Sequence, residues 1–393
     1  MGAKHLRYRR QAGMVSPMTL RFIHTADWQI GRPFRTLPAD LAGELTAARL
    51  DAIVRIAAIA RQKGAAHVLV AGDVFDDDKL ETVTVRRTLE RMGGERDVQW
   101  LLLPGNHDPA RTGGLWERIA RIGLPGNVVA LITPEPYPLG QQAVVLPAPL
   151  ASKNPGRDPT LWMDQAVSAP GIQRIGLAHG SVQGFDSEGE SSVMIARDRA
   201  RSAGLGYLAL GDWHGMKSID PRTWYSGTPE PDRFPDNEPG FVLSVTLEGD
   251  TAPKVEKVKS AAFIWAKGAA TIHALQDLYP LEQAIARYHD APARLLLRLT
   301  LSGGLSLAGH ASLAAWREVW AGKVRHLVLD DANLVAVPET GDIESLGGEG
   351  PLAEAARALA AIQSNAAHPD STAAGLALVR LFAFAHEARE APA

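Results

Sequence analysis

Residues able to bind metal ions follow hydrophobic segments at five places in the chain. In chain order the five motifs are Asp27-Trp28-Gln29, Gly72-Asp73-Val74-Phe75-Asp76, Gly105-Asn106-His107-Asp108, His179-Gly180 and Gly211-Asp212-Trp213-His214. Their carboxylate and amide oxygens and imidazole nitrogens form the mixed ligand set that divalent metals prefer. Two metals about 3.5–4 Å apart can clamp a phosphate ester and generate a hydroxide nucleophile. The motifs therefore predict a two-metal phosphoester site in which Asp73 bridges the ions.

The elements that must position these motifs are predicted from hydrophobic periodicity. Residues 19–24, 67–71 and 98–103 are strand candidates, whereas residues 38–62 and 80–92 have helical spacing. Further strands are predicted at 128–132, 143–146, 174–178, 207–210, 223–226 and 240–247. This pattern favours an α/β (α+β) sandwich of two sheets flanked by helices, with the motifs at the carboxyl ends of strands.

The ordered motifs resemble those of the calcineurin-like metallophosphoesterases, whose pattern is D-x-H, G-D-x-x-D, G-N-H-D/E, H and G-H-x-H. Within that family the chain is similar to the SbcD-type DNA repair exonucleases at residues 24–31, 72–76, 225–228 and 240–243. The similarity is strong over residues 19–247. It implies a four-layer metallophosphoesterase sandwich, followed by a small α+β capping domain and C-terminal helices.

The resemblance also implies two divalent metal ions, with Mn²⁺ as the first choice and Mg²⁺ as the alternative. The implied ligands of one metal are Asp27, Gln29, Asp73 and His214. The implied ligands of the other are Asp73, Asn106, His179 and Asp212. His107 would then face the scissile phosphate as the catalytic acid. Asp76 and Asp108 would hold the ligands or their loops in place without binding the metals themselves.

Two of the implied ligands depart from the family pattern. Gln29 stands where the family has His, and Asp212 stands where the first His of G-H-x-H belongs. An amide oxygen is a weaker, neutral ligand, whereas an aspartate adds a negative charge. We expect the two exchanges to offset each other in an oxygen-rich site that prefers Mn²⁺ or Mg²⁺ to Zn²⁺. The competing expectation is that one metal is lost and the enzyme is weak or inactive.

Four residues near the motifs are candidate substrate contacts, namely Trp28, Trp213, Arg32 and Tyr225. An indole can stack on a nucleotide base, and a guanidinium can bind a phosphate. The alternatives are packing against the rim of the site for the two tryptophans and ordinary surface charge for Arg32.

The composition is that of a folded protein without a global basic field. The 393 residues are 46% hydrophobic and 22% charged, with a formal net charge of −3. The chain contains no Cys, which excludes disulfides, thiolate metal sites and cysteine nucleophiles. No apolar run approaches the roughly 18–20 residues that span a bilayer. We therefore expect no membrane association and a cytoplasmic location.

The chain divides into four predicted segments: a flexible N-terminal tail at 1–17, a nuclease domain at 18–262, a capping domain at 263–338, and a linker with C-terminal helices at 339–393. A basic arm that touches nucleic acid is the alternative for the tail. The predicted elements after residue 262 are strands at 294–301, 324–329 and 334–337, and helices at 311–321, 351–364 and 372–389.

The resemblance implies an Mn²⁺-dependent DNA nuclease, an SbcD-like exonuclease or endonuclease of double-strand-break repair. One alternative is a phosphodiesterase or phosphatase that acts on nucleotides or other small esters. Another is a catalytically weak DNA-binding scaffold subunit. The family also implies a homodimer and a coiled-coil ATPase partner of the SMC-like SbcC type, which would dock on the C-terminal helices. Packing of these helices on the chain's own core is the equal alternative.

Overall fold

A computed structural model describes residues 19–184, 193–234, 236–288, 291–346 and 350–390. The predicted N-terminal tail lies outside the described residues. The chain forms two compact units. Unit 1 comprises Met1–Asp232 and Asp236–Ala262, and unit 2 comprises Arg233–Pro235 and Phe263–Ala393.

Unit 1 contains two large sheets and four helices among its described residues. Its strands are β1 (Thr19–Thr25), β2 (His67–Val70), β3 (Gln99–Leu102), β4 (Val128–Ala130), β5 (Tyr137–Leu139), β6 (Ala143–Ala148), β7 (Gln173–His179), β8 (Ser181–Val182), β9 (Met194–Ile195), β10 (Tyr207–Gly211), β11 (Lys217–Asp220), β12 (Thr223–Tyr225), β13 (Phe241–Glu248) and β14 (Lys254–Lys259). Its helices are α1 (Ala39–Lys63), α2 (Thr82–Gly94), α3 (Leu115–Ile122) and α4 (Arg199–Ser202).

Each large sheet combines parallel strands with antiparallel ones, which lie at one edge of the first sheet and at both edges of the second. The first sheet has the order β14-β13-β1-β2-β3-β4, and β1 to β4 are parallel. The second has the order β11-β12-β10-β7-β6-β5, and β12, β10, β7 and β6 are parallel. Because the strands β1, β2 and β3 run in one direction, their carboxyl ends meet at one edge of the first sheet. The same holds for β7 and β10 in the second.

Alternating side chains build the layers of unit 1. On β2, Val68 and Val70 belong to a hydrophobic core with Ile53 and Ile56 of α1. Leu69, between them, points to the opposite face and joins the core that the two sheets share. A further core covers the other face of the second sheet, where α4 and a short 3₁₀ helix pack. The predicted sandwich of two sheets flanked by helices is confirmed.

Unit 2 is built on a small parallel sheet. Its elements are β15 (Ile264–Ile272), α5 (Tyr279–Ala286), β16 (Leu295–Leu305), α6 (Leu307–Lys323), β17 (His326–Ala336), α7 (Thr340–Ser345), α8 (Pro351–Ser364) and α9 (Ser371–Glu390). The strands pair in the order β15-β16-β17. The two strands predicted at 324–329 and 334–337 form the single strand β17. Its pairing with β16 continues past the polar residues in its middle because the register shifts there, between Thr300 and Ser302. Part of the predicted linker at 339–349 is helix α7.

The faces of the unit 2 sheet differ in polarity. Leu297 and Leu299 of β16 belong to a core with Leu281 and Ile285 of α5. Residues on the opposite face include Lys267 and Arg298, which pair across β15 and β16. The helices α8 and α9 pack with α6 and β17 in a separate core of unit 2. Among the described residues, no helix combines the length and the apolar composition that crossing a bilayer requires.

Candidate metal centre

The predicted metal ligands lie at the carboxyl ends of strands from both sheets of unit 1. Asp27 and Asp73 follow β1 and β2, Asn106 follows β3, His179 ends β7, and Asp212 follows β10. Backbone hydrogen bonds hold these loops together, including Asp27 N to Gly72 O at 3.1 Å. A Cβ at Gly105 would collide with the Asp73 carboxylate, so the close approach of the β2 and β3 loops requires glycine there.

Backbone strain is concentrated at four predicted ligands. Within the described part of the chain, the non-glycine residues with positive φ are Asp27 (52°), Gln29 (42°), Asp73 (52°) and Asp212 (104°). Such conformations cost on the order of 1–3 kcal/mol each and persist where the surrounding structure enforces them. Their confinement to these loops indicates a site whose side-chain directions matter more than local stability.

The ring of His179 is oriented by a backbone carbonyl. Its Nδ1 donates to Ala71 O at 2.9 Å, so Nε2 carries the lone pair in the neutral ring. Nε2 lies 2.8 Å from Asn106 Oδ1, 3.5 Å from Asp73 Oδ1 and 3.8 Å from Asp212 Oδ1. Metal-binding histidines commonly have their second nitrogen held in this way.

The amide of Asn106 tests whether these residues fit a metal ion. The position of its Oδ1 is 2.8 Å from His179 Nε2 and 3.2 Å from each Asp73 carboxylate oxygen. With oxygen there, four acceptors would converge, an arrangement that a bound cation would stabilise. Without a cation, the amide is better turned so that its nitrogen donates to Asp73 and His179. The donor set therefore fits a divalent cation.

Two further carboxylates complete this group of acceptors. The Asp212 backbone N–H donates to Asp27 Oδ1 at 3.0 Å, and Ser181 Oγ donates to Asp212 Oδ2 at 2.8 Å. Burial, and then the nearby charge of Asp73, raise the pKa of Asp27 well above its ordinary value. Ligand atoms of Asp27, Asp73 and His179 all lie within 4.8 Å of one another. We call the five residues Asp27, Asp73, Asn106, His179 and Asp212 the ligand cluster.

His107 lies beside the ligand cluster. Its backbone N–H donates to Asp73 Oδ1 at 3.0 Å, and its Nδ1 donates to Asp76 O at 2.9 Å. Its Nε2 therefore faces the site, 3.9 Å from Asp73 Oδ2. Asp108 is fully buried and accepts from Gly105 N at 2.7 Å and from Phe75 N at 3.1 Å. Asp108 thus ties the β2 loop to the β3 loop.

A second group of residues surrounds Arg32, and we call it the arginine cluster: Gln29, Arg32, Asp76, His214 and Asp232. Arg32 Nη1 donates to Gln29 Oε1 at 2.7 Å, and Arg32 Nε lies 2.9 Å from Asp232 Oδ2. Gln29 Nε2 is 3.2 Å from His214 Nε2. The structure therefore brings Gln29 and His214 together, and Gln29 also contacts Arg32.

The predicted substrate contacts at Trp28 and Tyr225 are corrected to packing roles, because neither side chain reaches the surface. Trp28 is 2% exposed, donates to Thr25 Oγ1 at 2.9 Å and packs edge-on against Trp100. Tyr225 is fully buried and donates to Gly180 O at 2.8 Å. Trp213 is partly buried against the outer core of the second sheet. Arg32 remains accessible, with 26% of its side chain exposed.

Sequence reasoning missed Arg49, which supports the β1 loop from below. Its Nη1 donates to Trp28 O at 2.9 Å, and its Nη2 donates to Glu230 O at 3.3 Å. Arg49 lies on the buried stripe of α1, between Leu45 and Ile53. The sequence does contain a signal for this role. An arginine at a position of the apolar stripe of a helix will be buried, and a buried guanidinium needs hydrogen-bond acceptors nearby.

The family comparison agrees with this geometry. Residues 20–188 match the family model of the calcineurin-like phosphoesterases. The chain thus contains a calcineurin-like metallophosphoesterase domain, and this domain implies metal-dependent phosphoester hydrolysis. Comparison with the curated proteins gave no match. Among solved structures, the chain is similar to the crystal structure of TT1561 of Thermus thermophilus, at 10% identity and a TM-score of 0.40 over 62% of this chain and 100% of that chain.

Proposed function

We propose that this protein is an Mn²⁺-dependent DNA nuclease of the SbcD type. The observation that carries the metal-dependent chemistry is the grouping of Asp27, Asp73 and His179, whose ligand atoms all lie within 4.8 Å of one another. Three carboxylates, an amide and a single imidazole form an oxygen-rich set, which supports Mn²⁺ or Mg²⁺ over Zn²⁺.

In the proposed reaction, Asp73, Asn106 and His179 hold the divalent cation, with Asp27 and Asp212 as further carboxylates. When bound, the cation supplies Lewis-acid stabilisation of phosphate charge and makes water more acidic. Asp27 and Asp212 are linked through the Asp212 N–H, so they respond together to the cation. The strained loops keep these side chains in place before substrate binds.

His107 is the proposed proton donor to the leaving oxygen. The carbonyl of Asp76 accepts from Nδ1 in both charge states of the ring, so the transferable proton is on Nε2. The side chain is 16% exposed and 3.9 Å from Asp73, a position from which it reaches a phosphate held at the ligand cluster.

The support for DNA as the substrate comes from unit 2. Lys267 and Arg298 are cross-strand neighbours on the face of its sheet that is not covered by α5. Arg298 lies over the Phe234 ring at 4.5 Å, and Phe234 packs against Trp265 with ring centroids 4.9 Å apart. Basic side chains with aromatic neighbours favour a phosphate backbone and unpaired bases. An enzyme that acts on small esters does not need such a surface, because its substrate is held at the catalytic site alone.

The test compares DNA with a small diester. The full chain with Mn²⁺ is assayed on linear duplex DNA, single-stranded DNA and bis-p-nitrophenyl phosphate. We expect hydrolysis of DNA and of the diester, loss of both activities on chelation, and a much larger loss on DNA than on the diester in His107→Gln. The paired substitution Lys267→Ala with Arg298→Ala should weaken DNA hydrolysis and leave diester hydrolysis unchanged.

Two results would replace the proposal. Diester hydrolysis without DNA hydrolysis favours the small-ester phosphodiesterase. DNA binding with wild-type hydrolysis no faster than that of His107→Gln favours the catalytically weak scaffold subunit.

A further inference from the structure

Arg32 carries a positive charge into the half of the site where a second metal ion would lie. Its Nη1 donates to Gln29 Oε1 at 2.7 Å and lies 3.5 Å from Asp76 Oδ1. Its Nε lies 2.9 Å from Asp232 Oδ2, whose side chain is almost fully buried. Two carboxylates and an amide oxygen therefore hold the guanidinium in one position.

This position of Arg32 determines which way the Gln29 amide points. A guanidinium only donates hydrogen bonds, so the amide oxygen must face Arg32 and the amide nitrogen must face away. That nitrogen lies 3.2 Å from His214 Nε2. Because an amide nitrogen only donates, the ring nitrogen of His214 accepts, and its lone pair is occupied by Gln29 rather than available to a cation.

A second divalent cation would need the same atoms. It would have to take Gln29 Oε1 from Arg32 and His214 Nε2 from Gln29, and it would then lie beside a fixed guanidinium of the same sign. The ligand cluster differs, because the Asn106 amide beside Asp73 and His179 can be turned either way, and its oxygen can therefore face a cation.

We propose that the protein binds one divalent cation, on the ligand cluster, and that Arg32 supplies the second positive charge of the site. The inference rests on the proposed metal-dependent function but not on DNA as the substrate. Within the described residues no hydrogen bond reaches Nη2 of Arg32, and the side chain is 26% exposed. Its planar donors match the oxygens of a phosphate, which is the charge that it would bind.

Metal counting tests the inference without measuring activity. Mn²⁺ is titrated into the metal-free full chain by calorimetry, and the loaded protein is examined by electron paramagnetic resonance. We expect one Mn²⁺ per chain with the spectrum of an isolated ion, and none in Asp73→Asn. The paired substitution Gln29→His with Arg32→Ala should raise the count to two and produce the spectrum of a coupled pair.

The contrary results are distinct. Two Mn²⁺ per wild-type chain with a coupled spectrum would overturn the inference and leave the proposed function intact. No Mn²⁺ binding by the wild type would overturn both.

Kinetics on bis-p-nitrophenyl phosphate test the role of Arg32 itself. Arg32→Ala should lower kcat/KM about 100-fold, in line with the loss of one fixed charge that stabilises a transition state. Arg32→Lys should recover part of this loss, and Arg35→Ala, at an exposed position of the same loop, should leave kcat/KM unchanged. Mn²⁺ titration shows that each variant is folded. An Arg32→Ala variant that binds one Mn²⁺ with unchanged kcat/KM would refute this role.

Discussion

The carboxylates in the two halves of the site are neutralised in different ways. In the ligand cluster, the Asp73 carboxylate and His179 Nε2 lie 3.5 Å apart beside the Asn106 amide, whose oxygen can turn toward a cation. In the arginine cluster, the carboxylates of Asp76 and Asp232 already contact a cation, the guanidinium of Arg32. We therefore expect the first half to take up an ion from solution, whereas the second carries its positive charge within the chain.

The difference between the halves depends on the side chain at position 29. A glutamine presents an oxygen to Arg32 and a nitrogen to His214 at the same time. Asn106 is also an amide, but its neighbours are acceptors on both sides, so its oxygen can turn toward a cation. The same functional group thus has opposite roles because its neighbours differ.

The largest expected effect is the loss of the ligand cluster through Asp73→Asn. Removing this carboxylate should lower kcat on bis-p-nitrophenyl phosphate by at least about 1000-fold, because metal stabilisation contributes several kcal/mol to such reactions. Calorimetry should show no Mn²⁺ binding. The matched control is Asp77→Asn, an exposed aspartate of the same loop, which should keep both properties. Mn²⁺ binding by Asp73→Asn with wild-type affinity would mean that the ligand cluster does not hold the ion.

The next effect concerns His107, which contacts the ligand cluster through its backbone. His107→Gln should lower the hydrolysis of DNA by about 100- to 10,000-fold, the range for loss of a general acid. A p-nitrophenol leaving group needs little protonation, so bis-p-nitrophenyl phosphate should lose much less activity. Steady-state rates on the two substrates give this ratio. Equal losses on both would assign His107 to phosphate binding instead.

The sequence predicts the ligand cluster better than the arginine cluster, and the reason is geometric. Residues after neighbouring parallel strands meet at one sheet edge, which groups Asp73 with Asn106 in the first sheet and His179 with Asp212 in the second. The pairing of Arg32 with Asp232 joins positions about 200 residues apart, outside any strand register. Nothing in the local sequence indicates that pairing, and the direction of the Gln29 amide depends on it.

The burial of Trp28 and the continuity of β17 could not be predicted from the local sequence. Trp28 lies between two predicted ligands, where a polar loop suggests an exposed ring, yet its indole fits the core against Trp100. In unit 2, the polar residues in the middle of β17 interrupt a hydrophobic pattern that the structure carries through as one strand. Long-range packing decides both cases, and periodicity reports only local pattern.

A smaller effect is expected from Tyr225→Phe, which removes the support of the His179 loop. The Tyr225 hydroxyl donates to Gly180 O at 2.8 Å and accepts from Val182 N at 3.0 Å, and both groups are buried. Leaving them unpaired should lower the free energy of unfolding by about 2 kcal/mol. Urea unfolding measures this loss. Trp224→Phe, on the same strand, removes an exposed hydrogen bond to Pro221 O while keeping an aromatic ring at the edge of the core, and should cost less.

The last prediction concerns the pH dependence of the stability of the metal-free protein. Burial and the charge of Asp73 raise the folded-state pKa of Asp27 above the ordinary 3.8. The folded state therefore binds a proton that the unfolded chain releases, and this contribution to stability is lost as pH rises through the folded pKa. Relative to Asp27→Asn, the wild type should gain at most about 1.4 kcal/mol per pH unit as pH falls from neutrality toward 3.8.

The difference between wild type and variant is the correct quantity, because His24 titrates in the opposite sense. Burial lowers the pKa of His24 from 6.5 to about 3, so its contribution to stability is lost as pH falls. Both proteins carry His24, and subtraction removes its effect. Without metal, the wild type loses stability relative to Asp27→Asn as pH rises toward neutrality. With saturating Mn²⁺, the wild type should instead be the more stable of the two near neutrality, since the cation requires the ionised Asp27. A stability difference between wild type and Asp27→Asn that changes with neither pH nor Mn²⁺ would show that Asp27 does not belong to the ligand cluster. The arginine cluster, which holds its own cation, should show no such response to the metal.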